Sequence, residues 1–470
     1  MDDLRRTLQQ YWGYDDFRPG QRALVEAVCS GRDGLLILPT GGGKSLCFQI
    51  PALLQPGLTL VISPLLALIE DQVADLQSRG IAAERLHSQQ ERGDRQRILA
   101  RLDCYRLLYC APETLLSPPV WSRLCQPTQH LTRLVLDEAH CLVQWGEAFR
   151  PAYGRLGAAR RTLERYHRHP LPLVAFTATA DPLSQAWLIH SLGLRQPDRA
   201  CHSVYRPNLQ LSVQRIWTPR QRRHAITDFL SSPHSQGSGL VYGRSRSDCE
   251  GLAGQLRNRG ESCAAYHAGL TTVERRRIER DWLTGQLRFT VCTNAFGMGV
   301  NKPDVRWVLH FQPPLLLNEY LQEIGRAGRD GQRAIAHLLV GHPIWEPSDH
   351  QRWQAFEAQS RQGLQEAARQ ARSLPSQGDL RQLTQDGIDA ALALLQSQGR
   401  LTWQDPFHFR LGTSPSPPPP IPTDSRVLQR FLFSPDCRWR SLRQAFGETP
   451  VATWHCGHCD SRACRADVRC

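Results

Sequence analysis

Short aliphatic runs, each closed by small or polar residues, recur along the chain up to about residue 342. Leu35–Leu38, Leu58–Ile62, Leu134–Leu136 and Leu173–Phe176 lack the alternation of a half-exposed strand and suit buried strands. Segments with helical spacing lie between them, which predicts an α/β fold. The pattern restarts at Gly239–Tyr242 and continues through Phe289–Thr293, so two lobes are expected, over residues 1–200 and 201–342. Residues 343–412 read differently. Trp345–Arg372 is Gln/Arg/Ala-rich with long helical potential; a second helix follows over Ile388–Leu395, then short strands over Gly399–Trp403 and Phe407–Leu411. Helix, helix, hairpin is the outline of a winged helix, and a helical connector with a hairpin fits it equally. A stiff proline-rich spacer (413–424) precedes the last segment, 425–470.

The strand ends carry the chemistry. Leu35–Leu38 runs into Pro39-Thr40-Gly41-Gly42-Gly43-Lys44-Ser45, where a helical segment opens. Glycines let backbone N–H groups turn inward around an anion, the helix N-terminus adds its dipole, and Lys44 reaches the β/γ-phosphates. Ser45 can ligand Mg²⁺ through its hydroxyl. Leu38 replaces the first glycine of the general pattern. Upstream, Phe17, Arg18 and Gln21 suit adenine recognition, the ring by stacking and the amide at the base edge; a packed Phe17 reads equally well. Leu134–Leu136 delivers Asp137 and Glu138. Opposite a phosphate loop, Asp137 would hold hydrated Mg²⁺ and Glu138 would orient and deprotonate the attacking water. His140 stands too far along to share that task and would report the state of the site. Gln144, Trp145, Phe149 and Arg150 follow at once, and aromatics beside arginine suit base stacking with phosphate contact. Core packing is the simpler alternative for those rings. In the second lobe, Asn318–Arg329 ends in Arg326 and Arg329, which at i, i+3 would share one helical face. Aimed at the phosphate loop, they would stabilise the transferred phosphoryl group.

Charge and rare residues sharpen this. Of 57 basic residues only Lys44 and Lys302 are lysines, and the internal Met298 lies four residues from Lys302, which marks a second functional loop around them. The net charge of +13 suggests a polyanionic partner, most often nucleic acid. No apolar core for a signal peptide and no run near ~18 apolar residues is present, so a cytoplasmic, nucleoid-associated protein is expected, without a membrane partner. Ten of the fifteen cysteines are scattered before residue 300, as suits reduced thiols. Cys437, Cys456, Cys459 and Cys464 have the spacing of a tetrahedral Zn²⁺ site, with His455, His458 and Cys470 as candidates for its fourth ligand.

In order and spacing, the motifs from Phe17 to Gly331 resemble those of RecQ-family DNA helicases of superfamily 2. Asp137–His140 followed by Cys141-Leu-Val-Gln-Trp-Gly-Glu-Ala-Phe-Arg-Pro151 resembles the family's aromatic-rich loop, and Gln322–Gly331 its motif VI. The resemblance covers about 340 residues. It implies two RecA-like parallel-sheet lobes, ATP with Mg²⁺, and ATP-driven 3′→5′ movement on single-stranded or forked DNA. Single-strand-binding and recombination proteins are the expected partners, and recombination and repair the expected setting. Trp145, Phe149 and their neighbours, with His140 and Lys302, would couple DNA to ATP. Cys437-Arg-Trp-Arg and Phe446-Gly-Glu resemble the family's zinc-binding helical hairpin. Two features depart from the pattern. The last cysteine pair is usually C-x2-C, whereas Cys464 follows Cys459 by five. Zinc usually follows the second lobe directly and a winged helix comes after it, but here some 95 residues intervene, and no helicase-and-RNase-D-like domain is expected beyond Cys470. An RNA helicase is the alternative within the class, against which the aromatic-rich loop argues. An ATP-gated DNA-annealing protein is the alternative outside it, against which Asp137, Glu138 and both arginines argue.

Overall fold

The apolar runs fold as strands whose successive residues enter opposite cores. A computed structural model describes residues 2–38, 43–142, 151–296, 302–383, 386–412, 425–451, 453–461 and 464. β1 (Gly34–Ile37), β2 (Leu58–Ile62), β3 (Ala83–Leu86), β4 (Leu107–Cys110), β5 (Leu131–Leu136), β6 (Leu173–Thr177) and β7 (Asp198–Cys201) form the first sheet. Its order is β3-β4-β2-β5-β6-β1-β7, and every pairing is parallel. Leu35, Leu60 and Leu134 pack into the core on one face, Leu36, Val61 and Val135 into the core on the other. Burial on both faces is why these strands read as continuous apolar runs.

The second sheet comprises β8 (Leu209–Ile216), β9 (Ser238–Tyr242), β10 (Cys263–Tyr266), β11 (Phe289–Cys292), β12 (Val305–His310) and β13 (Ala334–Gly341). Its order, β10-β11-β9-β12-β13-β8, is again all parallel. The chain divides into two compact units. One contains residues 1–38 and 42–202 with 360–422, the other residues 203–359 with 423–470. The proline-rich spacer lies outside the described residues.

In the first unit, β14 (Gln377–Asp379), β15 (Leu401–Trp403) and β16 (His408–Leu411) make a small antiparallel sheet beside the helix Ile388–Ser397. This module docks on the first lobe. Phe407 meets Trp121 edge-on at 5.7 Å, Arg161 donates to the Trp403 carbonyl (3.1 Å), and the Gln396 amide donates to the Gly154 carbonyl (2.9 Å). Gly154 permits that approach, since a Cβ there would lie 2.7 Å from Gln396 Oε1.

In the second unit, the C-terminal cysteine module covers the exposed edge of β8. Asp460 accepts from the Val213 N–H (2.8 Å) and donates its own N–H to the Leu211 carbonyl (3.2 Å), which removes two open edge positions. Buried Arg222 on the helix Pro219–Ser231 bonds Glu346 (2.6 Å) and Asp349 (2.7 Å), fixing the turn after β13. Arg222→Met would leave two buried carboxylates without their shared guanidinium. We expect a loss of about 3–5 kcal/mol from the second unit, read as a lower denaturant midpoint than in wild type or in a control at exposed Arg280.

Candidate active site

Sheet order brings the predicted strand ends together. β5, β6 and β1 are neighbours, with Leu136 beside Ala175 and Ile37 beside Thr177. Their C-terminal ends therefore place Asp137–Glu138, Thr177–Thr179 and Gly43–Ser45 at one edge, the usual ligand position in an open parallel sheet. Lys44 Nζ lies 2.7 Å from Glu138 Oε1, and His140 Nδ1 lies 3.2 Å from Glu138 Oε2. Thr177 Oγ1 stands 3.4 Å from the same His140 nitrogen. Glu138 adopts φ 50°, a left-handed conformation uncommon for a side-chain-bearing residue. Asp137 Oδ1 stabilises that turn by accepting the Glu138 N–H (3.0 Å).

Electrostatically the two carboxylates differ. Burial would raise the Glu138 pKa, but the Lys44 ammonium and the His140 ring outweigh it and hold the carboxyl well below its ordinary range. Burial and the Glu138 charge push Asp137 up. Asp137 is buried and, among the described residues, has no ion pair. The Lys44 and His140 charges only partly offset that rise, and a buried carboxylate with no ion pair of its own beside Lys44 fits a divalent cation there. Burial also opposes protonation of His140, yet the Cys141 sulfur at 3.7 Å and Glu138 raise its pKa overall.

Gly43 has φ +72°, and a Cβ there would fall 2.5 Å from Gln21 Nε2. The Gln21 amide is oriented within the protein: Nε2 donates to the Gly43 carbonyl (3.0 Å) and Oε1 accepts the Arg18 N–H (3.2 Å). Phe17 is half-buried against the first lobe's core, and Arg18 is exposed. The Ser45 carbonyl accepts the Gln49 N–H (3.0 Å) as the helix Leu46–Leu54 begins. Thr40, Gly41, Gly42, Gln144, Trp145, Phe149, Arg150 and Met298 lie outside the described residues.

Arg326 and Arg329 do not share a helical face. The helix Leu317–Ile324 ends before them, because Gly328 turns left-handed (φ +59°) and gives its N–H to the Val305 carbonyl (2.8 Å). A Cβ on Gly328 would meet Asn208 Nδ2 at 2.7 Å, so no other residue fits this turn unstrained. Both arginines, with Trp282, Phe296 and Lys302, line one small cavity. Lys302 is buried. Its Nζ donates to the Leu283 carbonyl (3.1 Å) and lies 5.6 Å from the Trp282 ring centroid, which ties it inside the lobe rather than presenting it to a phosphate backbone. The sequence reading missed the network behind this turn. Arg244 forks onto Glu323 (3.0 and 2.8 Å), whose Oε2 also meets His310 Nε2 (2.8 Å). Glu323 lies in the motif, but its partners come from the turn after β9 and from the end of β12, which no local pattern marks.

Cys437, Cys456, Cys459 and Cys464 converge, their sulfurs within 4.8 Å of one another. Separations of 3.3, 3.6 and 4.0 Å bracket the roughly 3.8 Å between thiolates held about 2.3 Å from a central zinc. The Arg438 N–H points at Cys459 Sγ and the Cys456 N–H at Cys437 Sγ, both at 3.4 Å. His458 instead directs Nδ1 to the Cys456 carbonyl (2.6 Å). The donor set fits a zinc ion.

Two parallel-sheet lobes, a phosphate loop and an Asp-Glu-Ala-His strand end define the helicase class of P-loop nucleotidases. A DEAD/DEAH box helicase model matches residues 18–186, and a helicase conserved C-terminal domain model residues 221–331. The chain is 47% identical to the ATP-dependent DNA helicase RecQ of Synechocystis over 97% of its own length and 98% of that protein's. It is 40% identical to the probable ATP-dependent DNA helicase RecS of Bacillus subtilis, over 72% of this chain and 67% of that one. The fold is similar to that of S. cerevisiae Dbp5 bound to RNA and ADP BeF3, with TM-score 0.58 and 18% identity over 76% of this chain and 91% of that one. The chain belongs to the RecQ family of ATP-dependent DNA helicases.

Glu323 gives a test of the second lobe's electrostatics. Burial would raise its carboxyl, but Arg244 and His310 more than offset that and hold it down, from 4.5 to about 2. A lowered carboxyl contributes stability that is complete above pH 4.5 and lost as pH falls toward 2. Glu323→Gln should remove that part of the acid dependence from the second unit's unfolding midpoint, while lowering stability at neutral pH. An acid profile identical to wild type would deny the pair this role.

Proposed function

We propose that the chain hydrolyses ATP at the β1–β5–β6 edge and uses it to move 3′→5′ along single-stranded DNA, opening forked duplexes. The observation that carries this reading is the Lys44–Glu138 contact of 2.7 Å beside buried Asp137, which has no ion pair among the described residues. Lys44 would bind the β- and γ-phosphates with the glycine loop through Gly41, Gly42 and Gly43, and Ser45 and Asp137 would hold Mg²⁺. That ion would neutralise charge on the transferring group. A phosphate anion competes with Glu138 for the Lys44 ammonium. As nucleotide binds, Glu138 would lose part of the contact that lowers its pKa and become a better base for water. Arg326 and Arg329 take the role of stabilising the phosphoryl group; their glycine-pinned turn supports a fixed placement. Phe17, Arg18 and Gln21 would contact the adenine end, with Gln21 also shaping the loop. His140, Gln144, Trp145, Phe149 and Arg150 would pass DNA binding to Glu138, and Lys302 would act by bracing its loop. Single-strand-binding and recombination proteins are the proposed partners.

Glu138→Gln keeps the side chain's shape but cannot accept the water's proton. It should retain ATP binding and lose hydrolysis by about 10²-fold or more. Nucleotide titration and turnover on one preparation check this, and wild-type turnover would remove Glu138 from the base role. Strand displacement on substrates with a 3′ or a 5′ tail tests direction, with unwinding expected only from the 3′ tail.

We assign zinc to Cys437, Cys456, Cys459 and Cys464. Elemental analysis should find one equivalent, and chelation should lower the second unit's melting temperature, because a structural zinc contributes folding free energy directly. Cys464→Ser should lose the metal. Full retention there would return the fourth position to His455, His458 or Cys470.

A further inference from the structure

The second unit buries Trp282, Trp307, Trp353 and Trp439, yet leaves Trp217 46%, Ile344 75% and Trp345 67% exposed. These three stand together on the segments leaving neighbouring strands, since Ile216 at the end of β8 pairs with Gly341 at the end of β13. Trp217 stacks on His342 with ring centroids 4.2 Å apart and planes 16° apart. His342 gives its N–H to the Ile216 carbonyl (2.7 Å) and accepts the Ile344 N–H on Nδ1 (3.3 Å). Exposed large apolar side chains gathered in one place mark an interaction surface more often than chance scatter.

The surface is rigid. Glu346, which closes the turn through its N–H to the His342 carbonyl (2.9 Å), is held by buried Arg222. Gly341 has no room for a Cβ, which would meet the Glu346 carboxylate at 1.9 Å. It is also basic. The helix Pro219–Ser231 starts two residues after Trp217 and carries exposed Arg220 and Arg223, neither in an ion pair among the described residues. The nearby carboxylates, Glu346 and Asp349, are buried and spent on Arg222.

We propose that Trp217, His342, Ile344 and Trp345, flanked by Arg220 and Arg223, form an accessory contact for single-stranded DNA on the second lobe. Ring faces stack bases without sequence preference, and unpaired guanidinium groups meet the phosphates. A second copy of this chain fits less well, because an isologous contact would bring the unpaired arginines of one copy against those of the other. The site lies at the C-terminal edge of the same parallel sheet as the Arg244 turn. It is three strands along from β9, or about 14 Å at roughly 4.8 Å per strand. A strand lying along that edge would reach it.

This proposal rests on the reading of the chain as a single-stranded-DNA motor. Its test uses the full chain with fluorescently labelled oligothymidines of ten and thirty nucleotides. Trp345→Ala and Trp217→Ala should each weaken binding of the longer oligonucleotide at least about fivefold, the low end of one base stack. Melting temperature, basal ATPase and ATPase at saturating DNA should stay at wild-type values. Trp345→Phe should restore most of the affinity. Arg220→Ser with Arg223→Ser should lessen the slope of log affinity on log salt by roughly 1.4, at about 0.7 per phosphate contact. Unchanged affinity in both folded tryptophan variants overturns the accessory contact alone, provided wild type binds the oligonucleotide. The same holds if Trp345→Ala alters self-association but not DNA binding. A wild-type protein that neither binds single-stranded DNA nor responds to it in ATPase assays overturns the underlying reading as well.

Discussion

Buried carboxylates need cations, and this protein answers that need with arginine almost throughout. Asp33 meets Arg160, Glu323 meets Arg244, and Glu346 and Asp349 share Arg222, each contact at 2.6–3.0 Å. Each pair joins segments far apart in sequence, so an interior charge is tolerable only once the tertiary fold has formed around it. Removing one partner leaves the other uncompensated, which is far costlier than the pair is favourable. The pairs therefore fix geometry more than they add net stability. Asp137 is the exception among the buried carboxylates described, and it stands where the proposed reaction would place a metal. The rule that organises the scaffold also marks, by its breach, the place left for a ligand.

What the sequence disclosed follows from which interactions are local. The buried strands were legible because burial on both faces writes an unbroken apolar run, as at Leu58–Ile62. The site residues at β1 and β5 were legible for a related reason. A parallel sheet sends every C-terminal strand end to one edge, so polar residues after apolar runs share that edge, but which of them become neighbours is decided by the strand order, which here sets β5, β6 and β1 side by side. The arginine turn was misread, since helical spacing continues past Ile324 and only the Val305 carbonyl and Asn208, both distant in sequence, dictate the break at Gly328. The Arg244–Glu323–His310 network was invisible for the same reason. Of the residues expected at the adenine, Gln21 holds Gly43, a contact that its motif alone does not reveal.

The tail shows how far local pattern goes. Its helix and hairpin were predicted close to their observed limits, and the four cysteines converge despite their unusual spacing. The attachments were not predictable. Residues 377–411 join the first lobe through main-chain carbonyls of Trp403, Gln404 and Pro406, met by Arg161, Arg165 and Arg155. Carbonyl acceptors leave no trace in side-chain identity, and the two side chains that also dock, Phe407 against Trp121 and Gln396 on the Gly154 carbonyl, stand in no pattern that marks them for it. The cysteine module reaches the second sheet with two side chains. Asp460 bonds both β8 and Arg438, and Trp439 donates to the Leu209 carbonyl (3.0 Å).

The two lysines have separate physical explanations with one root. Arginine is the better residue for the buried pairs above, because its planar guanidinium spreads its donors over several acceptors and at Arg244 matches the Glu323 carboxylate with two parallel bonds. At Lys44 the partner is Glu138 and, in the role proposed for it, phosphate oxygens, among which a compact ammonium with donors in three directions fits and a planar fork does not. At Lys302 the Nζ caps the Leu283 carbonyl, faces Asp304 at 3.3 Å and rests over the Trp282 ring, in a space it shares with Arg326 and Arg329. A larger, flat cation there would press on the two arginines assigned to phosphoryl transfer. Both lysines lie beside groups proposed to act in the reaction, Lys44 against Glu138 and Lys302 in the cavity that Arg326 and Arg329 line.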